Sequence, residues 1–377
     1  MSNNFNNKIA FLVNIIPSYR EGFYRKIISN KKFNIEIFTQ KNLPIPIKTV
    51  EKKFKKKTQI LKYLSIGNEK IVFTSLPLFR LLNEFDIFVV EGNPRYITHF
   101  LFATFLRLMR KKVILWTMAH SRNNNKLREA IRLWWTKFFK FLFVYTDDEV
   151  LFLKRKNFKK NIIYPMNNGL DLVNIDKIKI KISKKEIDNF KKKYKDKTIF
   201  LSCARLIEKN KFHQAVEAFA RIKKINDKFI WIIIGEGQEK KRIKKLIEQY
   251  RLNKYVSFKG EIYNEQKLSK YFMASDCLIH PASIGLSIIH SFAYGLPVIT
   301  HSNKKYHNPE IAAFKNNYTG LSFKMNDVNG LKKCIQKFLM NKKLKFFFKK
   351  NCYDTVKNKY NANIMAANFF RLIEKLN

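Results

Sequence analysis

The amino-acid sequence predicts an α/β protein with two doubly wound, Rossmann-like domains. Short apolar runs that end in turn residues alternate with helical patterns along the whole chain, which is typical of parallel sheets covered by helices on both faces. At 377 residues, the chain suits two domains of roughly 100–200 residues each. A polar, lysine-rich stretch near the middle separates two series of apolar runs.

Five apolar runs in the first half read as strands: KIAFLVNII, FNIEIFT, DIFVVEGN, VILWTMAH and FLFVYT. They place an N-terminal domain at residues 1–173, followed by a linker at 174–196, where no long apolar run occurs.

Five further runs with the same features follow the linker: TIFLSCARL, FIWIIIGEG, YVSFKGEI, DCLIHPA and LPVITHS. They place a second domain at residues 197–358, with a crevice at the carboxyl ends of its strands. Residues 359–377 carry apolar side chains at helical spacing from Ala362 to Leu376. This spacing predicts an amphipathic helix that packs back towards the first domain.

The chain has 75 Lys and Arg against 29 Asp and Glu, a formal net charge of +46. This excess predicts attraction to a polyanion: nucleic acid, an anionic membrane face or a phosphorylated substrate. The alternative is compositional drift, because Lys, Asn, Ile and Phe are enriched together as in low-GC genomes, although drift does not account for so few acids. Hydrophobic residues make up 46% of the chain, so wholesale disorder is excluded.

Two basic, aromatic stretches, Tyr96–Lys112 and Arg128–Phe143, read as helices that combine Lys and Arg with Trp and Phe. If exposed, they would dock on an anionic membrane surface that presents a lipid-linked acceptor. Core packing is the alternative for most of these aromatic residues, but not for both Trp134 and Trp135.

The first residues, MSNNFNNKIAFLVNII, read as a leading strand, because they lack the basic start, long apolar core and cleavage site of a signal peptide. No apolar run reaches the roughly 20 residues that span a bilayer. Cys203, Cys277, Cys334 and Cys352 form no closely spaced metal or redox motif. We therefore expect a cytoplasmic protein with free thiols, at most peripheral on the inner face of the membrane.

The stretch Asp276–Asn303 predicts a ligand site at the start of a helix. A strand ends at HPA, Gly285 opens the helix, Gly295 ends it and Pro297 starts the next strand. Free main-chain N–H groups and the positive end of a helix dipole bind phosphate. An ordinary connection between strand and helix is the alternative.

Three cations follow the first strand of the second domain, in RLIEKNK. Arg205 ends the strand, and Lys209 and Lys211 come just after it, where they would neutralise a diphosphate leaving group. A solvated charge run is the alternative for each lysine. Gly235 and Gly237, in IIIGEGQEKK, form another connection from strand to helix, but GEG alone is weak evidence for a nucleotide site.

The order of these motifs resembles the carboxy-terminal half of the family 4 retaining glycosyltransferases, the glycosyl transferases group 1. The motifs are RL, VEAF, IIIGEGQEKKRIKKLIEQYRLNKYVSFKG, DCLIHPA and AYGLPVI, within about Lys197 to Leu339. The first half agrees more loosely. The resemblance implies a GT-B fold, in which two domains face a cleft and the second domain binds a nucleotide-sugar donor while the first mainly binds the acceptor.

The resemblance also implies roles for individual residues. Arg205 and a neighbouring lysine would contact the donor diphosphate. Gly285 and Leu286 would present main-chain amides to it, and the turn from Gly235 to Gly237 would border the nucleotide.

The chain departs from the family pattern at the donor site. The family has two glutamates eight positions apart, one for the donor sugar and one for the ribose, where this chain has Ala282 and His290. The family lysine falls on Asn210, so Lys209 or Lys211 must replace it. His290 can hydrogen-bond a ribose hydroxyl, or it packs in the core. We interpret the chain as a variant branch of the family rather than a decayed enzyme.

Two further residues are candidates by position. Glu310, in NPEIAAF, falls where relatives place an acidic residue near the donor and would compensate for Ala282; the alternative is a glutamate that favours a helix start. His120, at the end of VILWTMAH, would face the cleft and approach the transferred sugar, or it is an ordinary loop histidine.

The predicted protein is a hexosyl- or N-acetylhexosaminyltransferase in lipopolysaccharide, O-antigen or capsule synthesis. It would move a sugar with retention from a UDP- or GDP-linked donor to a lipid-linked saccharide, with Arg205, His120 and His290 as candidate catalytic residues. No Asp-x-Asp motif stands at a strand end, so we expect no metal and no further cofactor, with cations and a helix dipole instead.

Two alternative functions stay open. One is a nucleotide-sugar epimerase of the same fold, which fold alone does not separate from a transferase. The other is a basic nucleic-acid-binding protein, although the sequence has no zinc finger, RNA-recognition signature or helix-turn-helix.

Overall fold

The computed structural model shows a chain that divides into two compact units. Unit 1 comprises Met1–Asp171 and Asn361–Asn377, and unit 2 comprises Leu172–Tyr360. The residues described are 7–41, 47–67, 71–119, 126–194, 197–341 and 343–376. Each unit is built on one parallel sheet flanked by helices. The predicted fold class, two Rossmann-like α/β domains, is therefore confirmed.

Unit 1 pairs seven strands in parallel. Its described strands are β1 (Lys8–Leu12), β2 (Asn34–Gln40), β3 (Thr58–Leu61), β4 (Tyr63–Ile66), β5 (Ile71–Thr74), β6 (Ile87–Glu91), β7 (Lys112–Thr117), β8 (Phe141–Val144) and β9 (Ile162–Pro165). Its described helices, apart from the last one of the chain, are α1 (Glu21–Ile28), α2 (Leu78–Glu84), α3 (Ile97–Leu108), α4 (Lys126–Lys137) and α5 (Asp147–Arg155). The sheet order is β3-β2-β1-β6-β7-β8-β9, and β4 and β5 form a separate antiparallel pair.

Unit 2 repeats this architecture with six parallel strands. Its described strands are β10 (Thr198–Cys203), β11 (Phe229–Ile234), β12 (Val256–Phe258), β13 (Cys277–Ile279), β14 (Val298–His301) and β15 (Gly320–Phe323). Its described helices are α6 (Leu172–Ile180), α7 (Lys184–Lys192), α8 (Phe212–Lys223), α9 (Lys240–Gln249), α10 (Glu265–Ala274), α11 (Leu286–Ala293), α12 (Val328–Met340) and α13 (Lys343–Asn358). The sheet order is β12-β11-β10-β13-β14-β15.

In both sheets the strand order reverses beside the first strand of the unit. The chain winds outward from β1 in one direction and then resumes at β6 on its other side, and β10 and β13 have the same relation. Connections diverge at such a point, which leaves a crevice at the carboxyl ends of the strands. In each unit, ligands are therefore expected at the carboxyl ends of the strands, which we call the carboxyl edge of the sheet.

The last helix of the chain, α14 (Ala362–Glu374), belongs to unit 1. Its apolar stripe is buried in the same core cluster as β1, and the Phe369 ring lies 5.5 Å from that of Phe11 and 5.8 Å from that of Phe143. The predicted return of the C-terminal helix to the first domain is thus confirmed. The stripe consists of Met365, Phe369, Leu372, Ile373 and Leu376.

The linker predicted at 174–196 is wrong. That region forms α6 and α7, which belong to unit 2. Ser183 and Glu186 close a reciprocal capping box at the start of α7, and Ile182 and Ile187 pack with Ala274 of α10 in a small apolar cluster. A few well-placed apolar residues are therefore enough to hold these polar, lysine-rich helices on the unit.

The basic stretch 128–143 is also not one helix. The helix α4 ends at Lys137, and β8 begins at Phe141. The all-apolar run FLFV is buried along its whole length, so burial in the sheet decides its conformation.

Over the residues that the structure describes, no helix is both long and apolar enough to cross a membrane.

Candidate active site

At the carboxyl edge of the unit 2 sheet, the loop after β10 carries Arg205 and lies against the loop after β11. The main-chain N–H of Ala204 donates to the Ile234 carbonyl at 3.1 Å, and that of Leu206 donates to the Glu236 carbonyl at 2.8 Å. These bonds continue the pairing of β10 with β11 beyond the strands. Arg205 is therefore fixed at the edge by hydrogen bonds of both its neighbours.

Two glycines make this contact between loops possible. Gly235 and Gly237 have φ values of +144° and +151°, a region essentially restricted to glycine. A Cβ on Gly235 would overlap the carbonyl oxygen of Ala204, and one on Gly237 would overlap that of Leu206. The GEG turn thus packs closely against the loop that carries Arg205.

The cations of this loop differ in their surroundings. Arg205 is exposed, and within the described parts of the chain no hydrogen bond or ion pair engages its guanidinium. Lys211 donates from Nζ to Asn326 Oδ1 at 2.6 Å, and Lys209 is exposed. Asn210, at the position of the family lysine, is buried and donates from Nδ2 to the Arg205 carbonyl at 2.8 Å. Asn210 thus stabilises the loop rather than binding an anion.

The start of α11 forms the second part of this edge. Ser283 adopts φ +50° before the helix, and Asn308 donates from Nδ2 to the Ser283 carbonyl at 3.2 Å. Gly285 leaves room for the Asn308 side chain, with which a Cβ would collide. Among the residues described, the main-chain amides of Gly285 and Leu286 have no hydrogen-bond partner. These two donors lie at the start of α11, which is the helix start that the sequence predicts to bind phosphate.

Buried histidines connect the loops after β13 and β14. His307 accepts at Nδ1 from the Ile284 N–H at 3.1 Å, and its Nε2 lies 2.9 Å from the His301 carbonyl, to which it donates. The rings of His301 and His307 stack with centroids 3.8 Å apart. The start of α11 is therefore tied to the end of β14 through a neutral imidazole.

Burial keeps the imidazoles of His301 and of His280, the residue after β13, uncharged. It lowers the pKa of His280 and of His301 to about 3 in each case, with the neighbouring His307 adding to the effect, and Lys211 adding to it at His301. Nδ1 of His280 and Nε2 of His301 are buried without a hydrogen-bond partner in the described chain. Buried polar atoms are nearly always satisfied, so these nitrogens are available to a bound ligand or to water.

His290 does not pack as an isolated core histidine. Its Nε2 lies 2.7 Å from Oε1 of Glu265, the first residue of α10, and the Tyr294 hydroxyl donates to the same oxygen at 2.6 Å. Burial alone would raise the pKa of Glu265, but the hydrogen bonds from His290 and Tyr294 outweigh it, so the pKa is lowered. Burial and the charge of Glu265 also raise the pKa of Cys203, the last residue of β10, to about 12. The pair thus lies beside the end of β10.

The remaining candidates have separate outcomes. Glu310 is 5% exposed in a short 3₁₀ turn, Pro309–Ala313. This turn directly follows Asn308, whose side chain contacts Ser283 before α11. His120 lies outside the described residues.

Unit 1 has a different cavity at the carboxyl edge of its own sheet, with a volume of about 300 Å³. Glu91, Arg95, Trp116, Arg132 and Tyr145 are among its lining residues. Burial raises the pKa of Glu91, whose Oε2 accepts from a main-chain N–H at 3.0 Å. The cavity combines a carboxylate, guanidinium groups and aromatic rings.

A buried cation, Arg20, packs against two aromatic residues that line this cavity. The Arg20 guanidinium lies 4.8 Å from the ring centroid of Trp116 and 5.4 Å from that of Tyr145. Its Nε donates to Asn168 Oδ1 at 3.2 Å. Cation–π contacts of this kind fix the orientation of both rings.

A larger cavity of about 790 Å³ in unit 2 lies away from these residues. It is lined by Thr198, which begins β10, and by Asp276, which precedes β13. These residues mark the amino edge of the sheet, opposite to Arg205 and α11. We therefore take the carboxyl edge as the candidate active site despite the size of this cavity.

The sequence does not predict Glu265, His301 or His307 as site residues. A signal exists for His301, because it ends a predicted strand in THS as His280 does in HPA. Glu265 has no comparable local signal, since only tertiary packing brings α10 to His290.

Comparison with known proteins agrees with this architecture. Residues 183–355, which lie within unit 2, match the family model of the glycosyl transferases group 1. Anabaena HepE, solved in complex with UDP, superposes with a TM-score of 0.72 at 11% identity, covering 98% of this chain and 100% of that one. At such low identity the likeness concerns the fold, which is the GT-B fold.

Two curated relatives align with part of the chain. An uncharacterized glycosyltransferase of Methanocaldococcus jannaschii, MJ1069, is 24% identical over 220 residues, or 57% of this chain and 52% of the relative. The lipopolysaccharide core biosynthesis glycosyltransferase LpsE of Rhizobium meliloti is 21% identical over 181 residues, or 47% and 50%. The alignments thus span about half the length of each relative.

Proposed function

We propose that the protein transfers a sugar from a nucleotide diphosphate to an acceptor hydroxyl, with the diphosphate held at the carboxyl edge of the unit 2 sheet. The proposal rests on an exposed Arg205 guanidinium and the main-chain amides of Gly285 and Leu286, none of which has a partner among the described residues. They follow the neighbouring strands β10 and β13 in a region that matches the glycosyl transferases group 1. Both groups favour a bound anion.

The reaction follows from where charge develops. The bond between the sugar C1 and the diphosphate oxygen breaks, and negative charge grows on the leaving diphosphate. Arg205, Lys209 or Lys211 and the α11 start stabilise that charge without a metal ion or a further cofactor. The acceptor oxygen bonds to C1 on the face that the diphosphate leaves, so the anomeric configuration is retained, and its proton passes to the departing phosphate oxygen.

We assign the nucleoside end to the pair of His290 and Glu265. Glu265 accepts the hydrogen bond of His290, which fixes the ring while the other nitrogen, Nδ1, remains to bond a ribose hydroxyl. The histidine thereby restores, together with a carboxylate from α10, the polar group that the family places at this helix. Glu310 would serve the donor sugar from the other side of Gly285, and His120 stays a prediction from sequence.

We infer that the acceptor is a lipid-linked saccharide of lipopolysaccharide, O-antigen or capsule assembly at the inner face of the membrane. The name of LpsE supports a role in surface polysaccharide synthesis. The unit 1 cavity, with Glu91 and the ring of Trp116, has the carboxylate and aromatic face that sugars contact. Its volume of about 300 Å³ suits one hexose or N-acetylhexosamine unit.

The test is a donor screen followed by product analysis. The protein is incubated with UDP- and GDP-linked sugars, and donors that raise the melting temperature are offered with and without a lipid-linked saccharide. We expect a glycosylated product only when the acceptor is present, with the donor's anomeric configuration seen by NMR. A changed sugar nucleotide without acceptor would indicate an epimerase instead, and binding to nucleic acid but to no donor would contradict the proposal.

A further inference from the structure

The outward face of α3 in unit 1 is apolar. Leu101, Phe105, Leu108 and Met109 are between 44% and 67% exposed. Their positions recur at intervals of three to four residues, so they form one stripe. The opposite face of α3 is buried in the unit. A surface helix normally turns polar residues outward, and α3 does not.

The helix α4 repeats this feature. Leu127, Ile131, Trp134 and Phe138 follow one another at helical spacing and are between 41% and 77% exposed. Trp134 is the most exposed of them, at 77%, whereas its neighbour Trp135 is 4% exposed. The adjacent tryptophans therefore divide into one core residue and one surface residue.

The two stripes lie side by side because the helices contact one another. Trp135 donates from Nε1 to Thr104 Oγ1 at 2.9 Å, and its ring stacks on Phe100 at 4.4 Å. Arg107 donates from Nε to the Phe138 carbonyl at 3.1 Å. We call the combined surface the α3–α4 face. It consists of Leu101, Phe105, Leu108, Met109, Leu127, Ile131, Trp134 and Phe138.

The charge around the α3–α4 face is one-sided. Between Ile97 and Phe143 the sequence has ten Lys and Arg residues and a single acidic residue, Glu129. Arg110, Lys137 and Lys140 are exposed next to the apolar stripes. An apolar centre with basic surroundings complements a surface that is apolar inside and anionic at its rim.

We propose that the α3–α4 face inserts into the head-group region of a bilayer that contains anionic phospholipid. A second copy of the chain is disfavoured as the occupant, because a self-paired face would bring two sets of like charges together. Nucleic acid is disfavoured because five of the eight residues of the face are aliphatic and offer no ring on which a base could stack. The inference gives the proposed transferase its meeting place with a lipid-linked acceptor, but its binding test does not need activity.

Vesicle binding tests the proposal through the position of Trp134. Of the four tryptophans, Trp116, Trp135 and Trp231 are each buried. Trp134 is therefore the tryptophan that can contact lipid in the folded protein. Vesicles of phosphatidylcholine with phosphatidylglycerol, carrying brominated acyl chains, should quench the tryptophan fluorescence. Trp134→Phe should still bind in a sedimentation assay but lose the quenching. Quenching that persists in Trp134→Phe would overturn the proposed orientation.

Paired variants test the two components of the face. Leu108→Ser with Trp134→Ser should weaken vesicle binding by about ten-fold or more, whereas Ile180→Ser with Phe346→Ser, which replaces two other exposed apolar residues in unit 2, should leave it unchanged. Lys137→Glu with Lys140→Glu should also weaken binding by about ten-fold or more, unlike Lys241→Glu with Lys245→Glu on α9.

The controls separate this proposal from others. An equal loss in the α9 charge variant would mean diffuse attraction by net charge and would overturn a specific face. A change of molecular mass in light scattering for the Leu108 and Trp134 variant, without a change in vesicle binding, would identify a self-interface instead. Donor binding measured on the same variants should stay at the wild-type level, so a failed transferase assay and a failed membrane assay remain distinguishable.

Discussion

The two units share one architecture but expose different chemistry. In unit 2, α9 buries Ile243 and Ile247 and turns lysine and arginine outward, as a surface helix should. In unit 1, α3 buries one apolar face and exposes another, with Leu108 67% exposed. The same fold thus carries a polar outward face on α9 and an apolar outward face on α3.

The ligand edges of the two sheets differ in the same sense. The unit 2 edge has an exposed cation at Arg205 and open amides at α11, which suits a diphosphate. The unit 1 edge buries Arg20 against Trp116 and Tyr145, and its cavity combines the Glu91 carboxylate and aromatic rings with the guanidinium groups of Arg95 and Arg132. We therefore assign donor binding to unit 2 and attachment to a surface to unit 1, so substitutions should separate the two properties.

The largest effect is expected for Gly235→Val. The backbone conformation alone would cost about 1–3 kcal/mol, and the Cβ would also overlap the Ala204 carbonyl. Thermal melting should show a destabilised unit 2 and titration should show loss of nucleotide binding, while vesicle binding by unit 1 persists. Glu236→Ala, in the same turn, removes only a half-buried ion pair with Lys240 and should cost no more than about 1 kcal/mol. A normal melting temperature for Gly235→Val would contradict the packing role of this turn.

A pH dependence of stability comes next and probes both units. Burial lowers the pKa of His99 in unit 1 to about 4 and of His280 in unit 2 to about 3, against about 6.5 in an unfolded chain. Below pH 6.5 the unfolded state therefore binds more protons, so stability is fully present above that pH and declines as pH falls towards 4. Each histidine contributes at most about 1.4 kcal/mol per pH unit.

Denaturant unfolding between pH 7 and pH 5 measures this effect. His99→Gln and His280→Asn should each reduce the dependence on pH, one in each unit. If unfolding were equally sensitive to pH in both variants and in the wild type, the buried histidines would not be neutral as described.

A smaller effect is expected for His290→Ala. Loss of one hydrogen bond to the nucleoside corresponds to about 0.5–1.5 kcal/mol, or a weakening of nucleoside diphosphate binding by up to about ten-fold. Binding of inorganic pyrophosphate should not change, because the pair of His290 and Glu265 is assigned to the nucleoside end. His213→Ala on α8 is the matched control. Equal losses for both ligands would place His290 at the diphosphate instead.

Much of this architecture could be predicted from the sequence. The long apolar runs of β10 and β11 specify buried parallel strands, and the spacing from Ala362 to Leu376 specifies α14. The short strands β3 and β15 were not predictable in this way, because they are four residues long and paired at the sheet edges. Their conformation is decided by the neighbouring strand rather than by their own composition.

The site was predictable where its chemistry is local. Arg205 at a strand end and Gly285 at a helix start follow from the motifs around them. Glu265 was not, because it reaches His290 across 25 positions of sequence through the packing of α10 on α11. The close packing of the GEG turn against the loop of Arg205 was not predictable either, because it is a contact between two loops that the spacing within either loop does not specify.

We propose that unit 2 binds a diphosphate with Arg205 and the start of α11. Calorimetric titration of UDP, GDP and inorganic pyrophosphate into the wild type and Arg205→Ala tests it most directly, with Arg221→Ala on α8 as the exposed control. We expect Arg205→Ala to weaken binding of every diphosphate that the wild type binds by about 10- to 100-fold, as for a charged hydrogen bond of about 1.5–3 kcal/mol, and Arg221→Ala to bind normally. Wild-type affinity in Arg205→Ala, or no diphosphate binding by the wild type at all, would contradict it.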